Sequence, residues 1–243
     1  METFHAARKA GFENINIDIM SALPGQSLLS YEETLKKIVA LNPEHISAYS
    51  LIIEEGTPFY ERYGVGESQD YPALPDEDTE REMYHKTKKI LEQAGYFRYE
   101  ISNYSKKDFE CKHNLTYWTG IEYIGFGIGA ASYFKGCRFK NCSSLAKYGE
   151  LVQNEWGALH EDVQKLSLEE QMEEFMFLGL RLKRGVSFAE FEMRFKRKIE
   201  DVYGSVVDDF IAEKLLVSKN GRIYLSQKGM DVANYVMAEF ILE

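Results

Sequence analysis

The polar and apolar positions near the start of the chain alternate. Residues 14–20 do so with a period of two, which predicts a strand with one buried apolar face and one polar face carrying Asn14, Asn16 and Asp18. A Leu-Pro-Gly-Gln turn at 23–26 ends this strand. A capping box of Ser30 and Glu33 then predicts a helix through residue 41. A second apolar run at 45–53 completes a strand–helix–strand pattern, which indicates a parallel βαβ unit.

The next segment extends this unit. A loop rich in turn-forming residues runs from 54 to 75 and is long enough to be a functional insertion. Asp76 is expected to cap a helix that ends at Gly95, and residues 99–103 form a third short strand, which carries Glu100. All three strands are expected to be parallel.

A different pattern begins at Ser167. Two further capping boxes, at 167–170 and 187–190, predict two helices, and a third helix is expected at 205–214. An Asn-Gly turn at 220–221 between two apolar runs predicts a hairpin, and Ser226 caps a last helix through residue 240. This order is typical of a winged-helix-like module, so we expect domains at 1–160 and 161–243.

Composition and charge restrict the function. The 243 residues carry a net charge of −10, and residues 167–243 hold 11 basic and 14 acidic side chains, so a nucleic-acid partner is not expected. The longest apolar run, 175–180, is far shorter than the roughly 18 residues of a membrane span. Three cysteines and no signal peptide indicate a reducing, cytoplasmic location.

Two features could carry chemistry. Asp18 lies on the polar face of the first strand and can accept hydrogen bonds from ribose hydroxyls or an ammonium group, or it can be a structural aspartate before the turn. Residues 113–118 (His-Asn-Leu-Thr-Tyr-Trp) can form a polar, aromatic wall that stacks on or ligates a macrocycle, or a short helical turn whose aromatic side chains fill the mouth of a barrel. Cys111, Cys137 and Cys142 do not have metal-site spacing and are expected to be ordinary thiols.

Several ordered motifs resemble one family, the oxygen-independent coproporphyrinogen III oxidase-like radical S-adenosylmethionine (SAM) proteins. The matching segments are 16–26 (which includes the Asp18 strand and Leu-Pro-Gly-Gln), 43–51, 54–58, 99–104 and 113–118. The H-N-x-x-Y-W motif at 113–118 is typical of the family's haem chaperone branch, and the C-terminal module resembles the family's HemN-type C-terminal domain.

The resemblance implies a fold and a set of sites. The fold is α/β: the second half of an incomplete (β/α)6 radical-SAM TIM-like barrel, followed by a helical winged-helix-like domain. The positions that match SAM-binding residues are Asp18, Gln26 and Ile52; those of the haem-associated motif are His113, Asn114, Tyr117 and Trp118. The full-length parent would hold a [4Fe–4S] cluster, SAM and haem. This chain has no C-x-x-x-C-x-x-C motif, so it is expected to be the C-terminal part of a longer protein, without a cluster and without catalytic residues of its own.

Two differences from the family pattern concern ligand specificity. Ala131 follows Gly-Ala where histidine is common, and Ser21-Ala22 precedes Leu-Pro-Gly-Gln where Tyr-Gly is common.

The resemblance predicts a haem chaperone that binds haem and SAM and delivers haem to acceptor proteins in the cytoplasm. The alternatives are coproporphyrinogen III oxidation in porphyrin biosynthesis and a non-enzymatic interaction module. The open edge of the first strand also predicts self-association.

Overall fold

Two parallel strands organise the first part of the computed structural model, which describes residues 1–64, 71–154 and 156–242. Strand β1 (Asn16–Ser21) pairs in parallel with β2 (His45–Ser50), and helix α2 (Leu28–Leu41) connects them. The predicted βαβ unit is therefore confirmed. Helix α1 (Glu2–Lys9) precedes it and is held by an Arg8–Glu44 ion pair of 2.5 Å.

One face of this sheet forms the core of the first part of the chain. Ile19 and Ile46 pack with Leu35 of α2 and with Met83 and Leu91 of helix α4 (Glu77–Gln93), and all five are buried. Alternation along the strands turns most of the polar residues of β1 and β2 to the other face. The sheet thus has one face covered by helices and one polar face.

The start of α2 differs from the prediction. Its N-cap is Ser27, whose hydroxyl accepts from the N–H of Ser30 at 3.2 Å, while the Ser30 hydroxyl reaches back to the N–H of Ser27. The predicted box of Ser30 and Glu33 is wrong because the Leu-Pro-Gly-Gln turn leads directly into Ser27, one turn earlier. The predicted end is confirmed: Asn42 adopts a left-handed conformation with φ of 56°.

The cap of α4 is as expected, since Asp76 Oδ1 accepts from the N–H of Thr79 at 2.8 Å. Gly95 follows this helix with φ of 86°, a conformation that favours glycine. The long loop before α4 contains a short helix, α3 (Pro58–Tyr63), which the sequence did not predict. Residues 65–70 of that loop lie outside the described residues.

The third predicted strand is wrong in both extent and direction. The chain forms β3 (Phe97–Arg98) and β4 (Asn103–Ser105) instead of one strand at 99–103, and β4 runs antiparallel to β2. The strand order in the sheet is β1-β2-β4-β3. The cause is a turn at the buried carboxylate of Glu100, which accepts from the N–H of Ser102 at 2.8 Å and from Asn103 Nδ2 at 2.6 Å.

The second part of the chain begins with helix α5 (Lys112–Trp118) and a three-stranded antiparallel sheet in the order β5-β6-β7. Its strands are β5 (Ala131–Phe134), β6 (Cys137–Asn141) and β7 (His160–Lys165). Helix α6 (Leu145–Asn154) and a 3₁₀ turn (Trp156–Leu159) connect the last two strands. The sequence did not predict this sheet.

The C-terminal elements follow the predicted order with shifted bounds. They are α7 (Leu168–Leu180), β8 (Val186–Ser187), α8 (Phe188–Phe195), α9 (Ile199–Ala212), β9 (Leu216–Lys219), β10 (Arg222–Leu225), α10 (Gln227–Asp231) and α11 (Ala233–Ala238). The capping box of Ser167 and Glu170 and the β9–β10 hairpin are confirmed. Helix α9 begins at 199 rather than 205, and the predicted last helix is broken at Val232 into two.

Contacts divide the chain into two compact units, Met1–Cys111 and Lys112–Glu243. This division comes earlier than the domain boundary expected after residue 160. Within the second unit, Arg138 of β6 forms a bidentate pair with Glu174 of α7, at 2.9 and 2.7 Å, which links the antiparallel sheet to a C-terminal helix. A separate domain at 161–243 stays a prediction.

The edge position of β1 leads to the first prediction. Strand β1 has β2 on one side and no described strand on the other, so its outward N–H and C=O groups can pair with another chain. We expect self-association, with a mass above 28.1 kDa that rises with concentration in light scattering. A monomer at every concentration up to about 100 µM, far above a typical specific dimer's dissociation constant, would contradict it.

Candidate functional site

The polar face of the first sheet brings together four side chains: Asn16 and Asp18 of β1, and His45 and Ser47 of β2. The parallel register pairs Asn16 with His45 and Asp18 with Ser47, which turns each pair to the same face. Asn16 and Asp18 are exposed, whereas His45 and Ser47 are buried. We call these four residues the polar face.

A chain of short hydrogen bonds runs across the polar face. Asn16 Nδ2 donates to Asp18 Oδ1 at 2.6 Å, and Asn16 Oδ1 lies 2.6 Å from His45 Nδ1. On its other side, His45 Nε2 lies 2.8 Å from the hydroxyl of Tyr99. Strand alternation points to Asp18 but not to His45 or Tyr99, because no local pattern shows which residue of another strand a side chain meets.

Burial also affects the charge of His45, a residue that is only 4% exposed. Desolvation lowers the pKa of His45 below its ordinary 6.5, and the negative charges of Asp18 and Glu110 oppose this effect only in part. The imidazole is therefore neutral at pH 7, and one of its nitrogens accepts a hydrogen bond.

The three residues matched to SAM binding lie within the first unit. Asp18 is in the middle of β1, Gln26 is in the turn after β1, and Ile52 follows β2 and is 76% exposed. Gln26 closes the turn: its Oε1 accepts from the N–H of Leu23 at 3.2 Å and its Nε2 donates to the carbonyl of Met20 at 3.3 Å. Because β1 and β2 are parallel, the segments after both strands lie at one edge of the sheet.

Helix α5 carries the haem-associated motif. His113 and Tyr117 are four residues apart and share one side of the helix: His113 Nε2 lies 3.0 Å from the Tyr117 hydroxyl, and the two rings meet edge to face at 4.8 Å. The ring of Tyr123 extends this contact, 4.7 Å from Tyr117. His113 is exposed and Asn114 is half-buried.

Trp118 points elsewhere. It follows His113 by five residues, about 140° around the helix. Its ring lies 4.3 Å from the guanidinium of Arg181, and it lines a cavity of about 40 Å³ together with Phe175 and Gly179 of α7. The contacts of Trp118 are those of a packing residue, and its place in a haem site stays a prediction.

An exposed apolar segment follows α5, and no pattern in the sequence predicts its exposure. Ile121, Ile124, Phe126 and Ile128 all have large exposed side chains, and Phe126 is 78% exposed. Asn141 Nδ2 orders this loop by donating to the carbonyls of Gly125 and Gly127, at 3.2 and 2.9 Å. Gly127, with φ of 99°, adopts a conformation that favours glycine.

Metal ligands are not grouped in the described part of the chain: across residues 1–64, 71–154 and 156–242 no three His, Cys, Asp or Glu side chains are placed to hold an ion. Cys142 is buried, while Cys111 and Cys137 are half-buried. None of the helices described is long and apolar enough to cross a membrane.

The C-terminal segment and the fold of this chain both resemble those of HemN. Residues 166–232 match the family model of the HemN C-terminal domain. The structure resembles that of coproporphyrinogen III oxidase (HemN) from Escherichia coli, a radical SAM enzyme, with a TM-score of 0.76 and 18% identity, over 99% of this chain and 57% of that one. The chain thus has the mixed α/β fold of HemN and is similar to the radical SAM proteins of the coproporphyrinogen III oxidase type, as its motifs predicted.

In sequence, the chain is more similar to haem chaperones than to that oxidase. The chain is 41% identical to the haem chaperone HemW of Lactococcus lactis over 97% of its length, and 39% identical to that of Bacillus subtilis over 99%. It spans 60% and 62% of the length of these two relatives. The expected resemblance to the haem chaperones HemW is therefore confirmed.

Titration of His45 gives the second prediction. Since burial lowers its pKa, the folded protein binds fewer protons than the unfolded chain as the pH falls through the ordinary value of 6.5. The free energy of unfolding should therefore decrease from pH 7 to pH 5, by at most about 1.4 kcal/mol per pH unit for this group. Urea unfolding at several pH values measures it, and His45→Gln should give a shallower slope. Identical slopes for both proteins would show that His45 does not contribute.

Packing around Trp118 gives the third prediction. Trp118→Ala removes a half-buried ring and its contact with Arg181, so we expect a loss of about 2 kcal/mol in the free energy of unfolding. His113→Ala is the control, because truncation of an exposed side chain changes stability by about 0.5 kcal/mol or less. Urea unfolding followed by circular dichroism measures both, and equal losses would contradict the packing role.

Proposed function

We propose that this chain works in a radical SAM haem chaperone, in which helix α5 and the loop after it bind haem and the polar face of the first sheet binds SAM. The observation that carries the proposal is the 41% identity to the haem chaperone HemW of L. lactis over 97% of the chain. The residues of both sites are consistent with these ligands.

The polar face suits SAM. The carboxylate of Asp18 is exposed and can accept hydrogen bonds from ribose hydroxyls or the ammonium of the methionine part. On the same face, Tyr49 of β2 is 41% exposed and offers a ring on which an adenine can stack. Gln26 would act by shaping the turn beside this face, and Ile52 would supply apolar contact.

The region of α5 suits haem. Haem is a large apolar plane whose iron accepts an imidazole ligand, and this region offers an exposed imidazole, His113, with two tyrosine rings in series beside it. Ile121 and Ile124 flank Tyr123 in sequence, and their exposed side chains would cover porphyrin surface. Asn114 would contribute a polar contact on the same helix.

The [4Fe–4S] cluster does not fit the cysteines of this chain. Cys111, Cys137 and Cys142 lack cluster spacing, and the described residues form no metal-binding group. In the family, the cluster supplies the electron that cleaves SAM reductively. We propose that a segment outside these 243 residues holds it, so that this chain binds SAM and haem without cleaving SAM itself.

We further propose a fold, a role in haem delivery and a location in the cell. The fold would be the second half of an incomplete (β/α)6 barrel followed by a winged-helix-like domain, and the protein would deliver haem to acceptor proteins in the cytoplasm. A net charge of −10 does not favour binding to nucleic acid, so no such partner is proposed.

Coproporphyrinogen III oxidation is the second candidate, and the likeness in fold to the E. coli oxidase favours it. The two functions need different chemistry from the pocket. A chaperone handles haem, whose iron takes an axial ligand, whereas the substrate of the oxidase is a porphyrinogen without iron. Affinity for haem against affinity for coproporphyrin therefore separates them.

Haem titration gives the fourth prediction. Absorbance in the Soret region should show saturable binding of haem, tighter than that of coproporphyrin, and His113→Ala should lower haem affinity about tenfold because an axial ligand is lost. His5→Ala is the matched control, since His5 is also an exposed histidine on a helix.

A second variant separates loss of the iron ligand from loss of folding. Tyr117→Phe keeps the ring but removes the hydroxyl that meets His113, and it should change the Soret position while leaving circular dichroism unchanged. Haem binding of equal affinity in wild type, His113→Ala and His5→Ala would rule out the site on α5. Tighter binding of coproporphyrin than of haem would favour the oxidase.

A further inference from the structure

We propose that Asn16 and His45 are positioning residues for Asp18: they form a directed hydrogen-bond relay that holds the Asp18 carboxylate toward the open polar face for a ligand hydroxyl or ammonium group. This inference rests on the proposed role of Asp18 in SAM binding. It goes beyond that role by assigning functions to Asn16 and His45, which are not among the positions matched to SAM binding.

The direction of the relay follows from the chemistry of its members. An ionised carboxylate only accepts hydrogen bonds, so the group of Asn16 that lies 2.6 Å from Asp18 Oδ1 is its NH₂. The carbonyl oxygen of Asn16 therefore faces His45, and at 2.6 Å it requires a proton on His45 Nδ1. The Ser47 hydroxyl lies 3.2 Å from Asn16 Nδ2 and 3.3 Å from Asn16 Oδ1, which helps to hold the amide in place.

The other nitrogen of His45 fixes the far end of the relay. A neutral imidazole with its proton on Nδ1 accepts at Nε2, so the Tyr99 hydroxyl at 2.8 Å donates to it. The Tyr99 oxygen in turn accepts from the backbone N–H of Cys111 at 3.3 Å. The hydrogen bonds are therefore all donated in one direction, from the Cys111 N–H through Tyr99, His45 and Asn16 to the carboxylate of Asp18.

Burial makes this arrangement effective. His45 and Ser47 are buried, so their hydrogen bonds compete little with water, whereas Asp18 is exposed and its carboxylate can meet a ligand. Asp18 alone would sample several rotamers, each of them solvated. A carboxylate held in one orientation loses less side-chain entropy when a ligand binds.

The first test reads the relay without a ligand. Nitrogen-15 NMR of the histidine rings of the full chain should show His45 as the neutral Nδ1–H tautomer at pH 7. Asp18→Ala should reduce this preference, although Asp18 does not touch His45, because the Asn16 amide is then free to turn over. Asn14→Ala, a change at an exposed asparagine just before β1, is the control and should leave the tautomer unchanged.

The second test measures SAM affinity by calorimetry. Asn16→Ala and His45→Gln should each weaken SAM binding about tenfold, the scale of one hydrogen bond to a charged group. His45→Asn should restore most of the affinity, because the NH₂ of asparagine lies at the position of Nδ1–H, whereas that of glutamine lies one bond further along the side chain. Loss of packing alone would not give this rescue. Circular dichroism confirms that each variant is folded.

The outcomes separate the relay from the proposed function. If Asp18→Ala weakens SAM binding but Asn16→Ala and His45→Gln do not, the relay is overturned and the SAM site stands. If wild type does not bind SAM, the SAM site fails, and the tautomer test alone decides the relay. An Nε2–H tautomer in wild type, or no response to Asp18→Ala, overturns it in either case.

Discussion

The parallel register of β1 and β2 is the constraint on which the first unit depends. It places Ile17 beside Ile46 on the face that α2 and α4 cover, and Asn16 beside His45 on the other face. A slip of one residue would exchange the faces, burying Asp18 against Leu35 and exposing isoleucines to water. The same apolar burial that stabilises the sheet therefore also fixes which polar side chains meet. The geometry of the polar face follows from the packing of the core.

Local sequence signals predict much of the secondary structure. Where a predicted element is wrong, the difference has a physical reason. Asp76, Asn42 and the Asn-Gly turn at 220–221 act on backbone within a few residues of themselves, so their effects could be predicted. The direction of β4 could not. It depends on the buried Glu100 carboxylate, which makes a turn by binding the N–H of Ser102 and the side chain of Asn103. A charged residue in a short apolar run gives no local sign that it will be buried.

The candidate sites show the same limit. Asp18 could be selected from strand alternation, but its link to His45 crosses 27 residues of sequence and needed the strand register. His113 and Tyr117 could be paired from helical spacing alone, since four residues bring side chains together. Trp118 belongs to the same motif by sequence, yet its contacts are with Arg181 and α7. Membership in a motif thus does not show that its residues act together.

The chemistry of the two units is different in kind. The groups proposed for SAM are hydrogen-bonding side chains held by a sheet, where position is set by pairing with neighbouring strands. The groups proposed for haem lie on a seven-residue helix and the loop after it, where Asn141 and glycine backbone provide the order. Each set lies entirely within one unit, Met1–Cys111 or Lys112–Glu243. Because the contacts that order each proposed set lie within one unit, the polar face and His113 have different partners among the described residues: His45 meets Asn16 and Tyr99, whereas the partner of His113 is Tyr117.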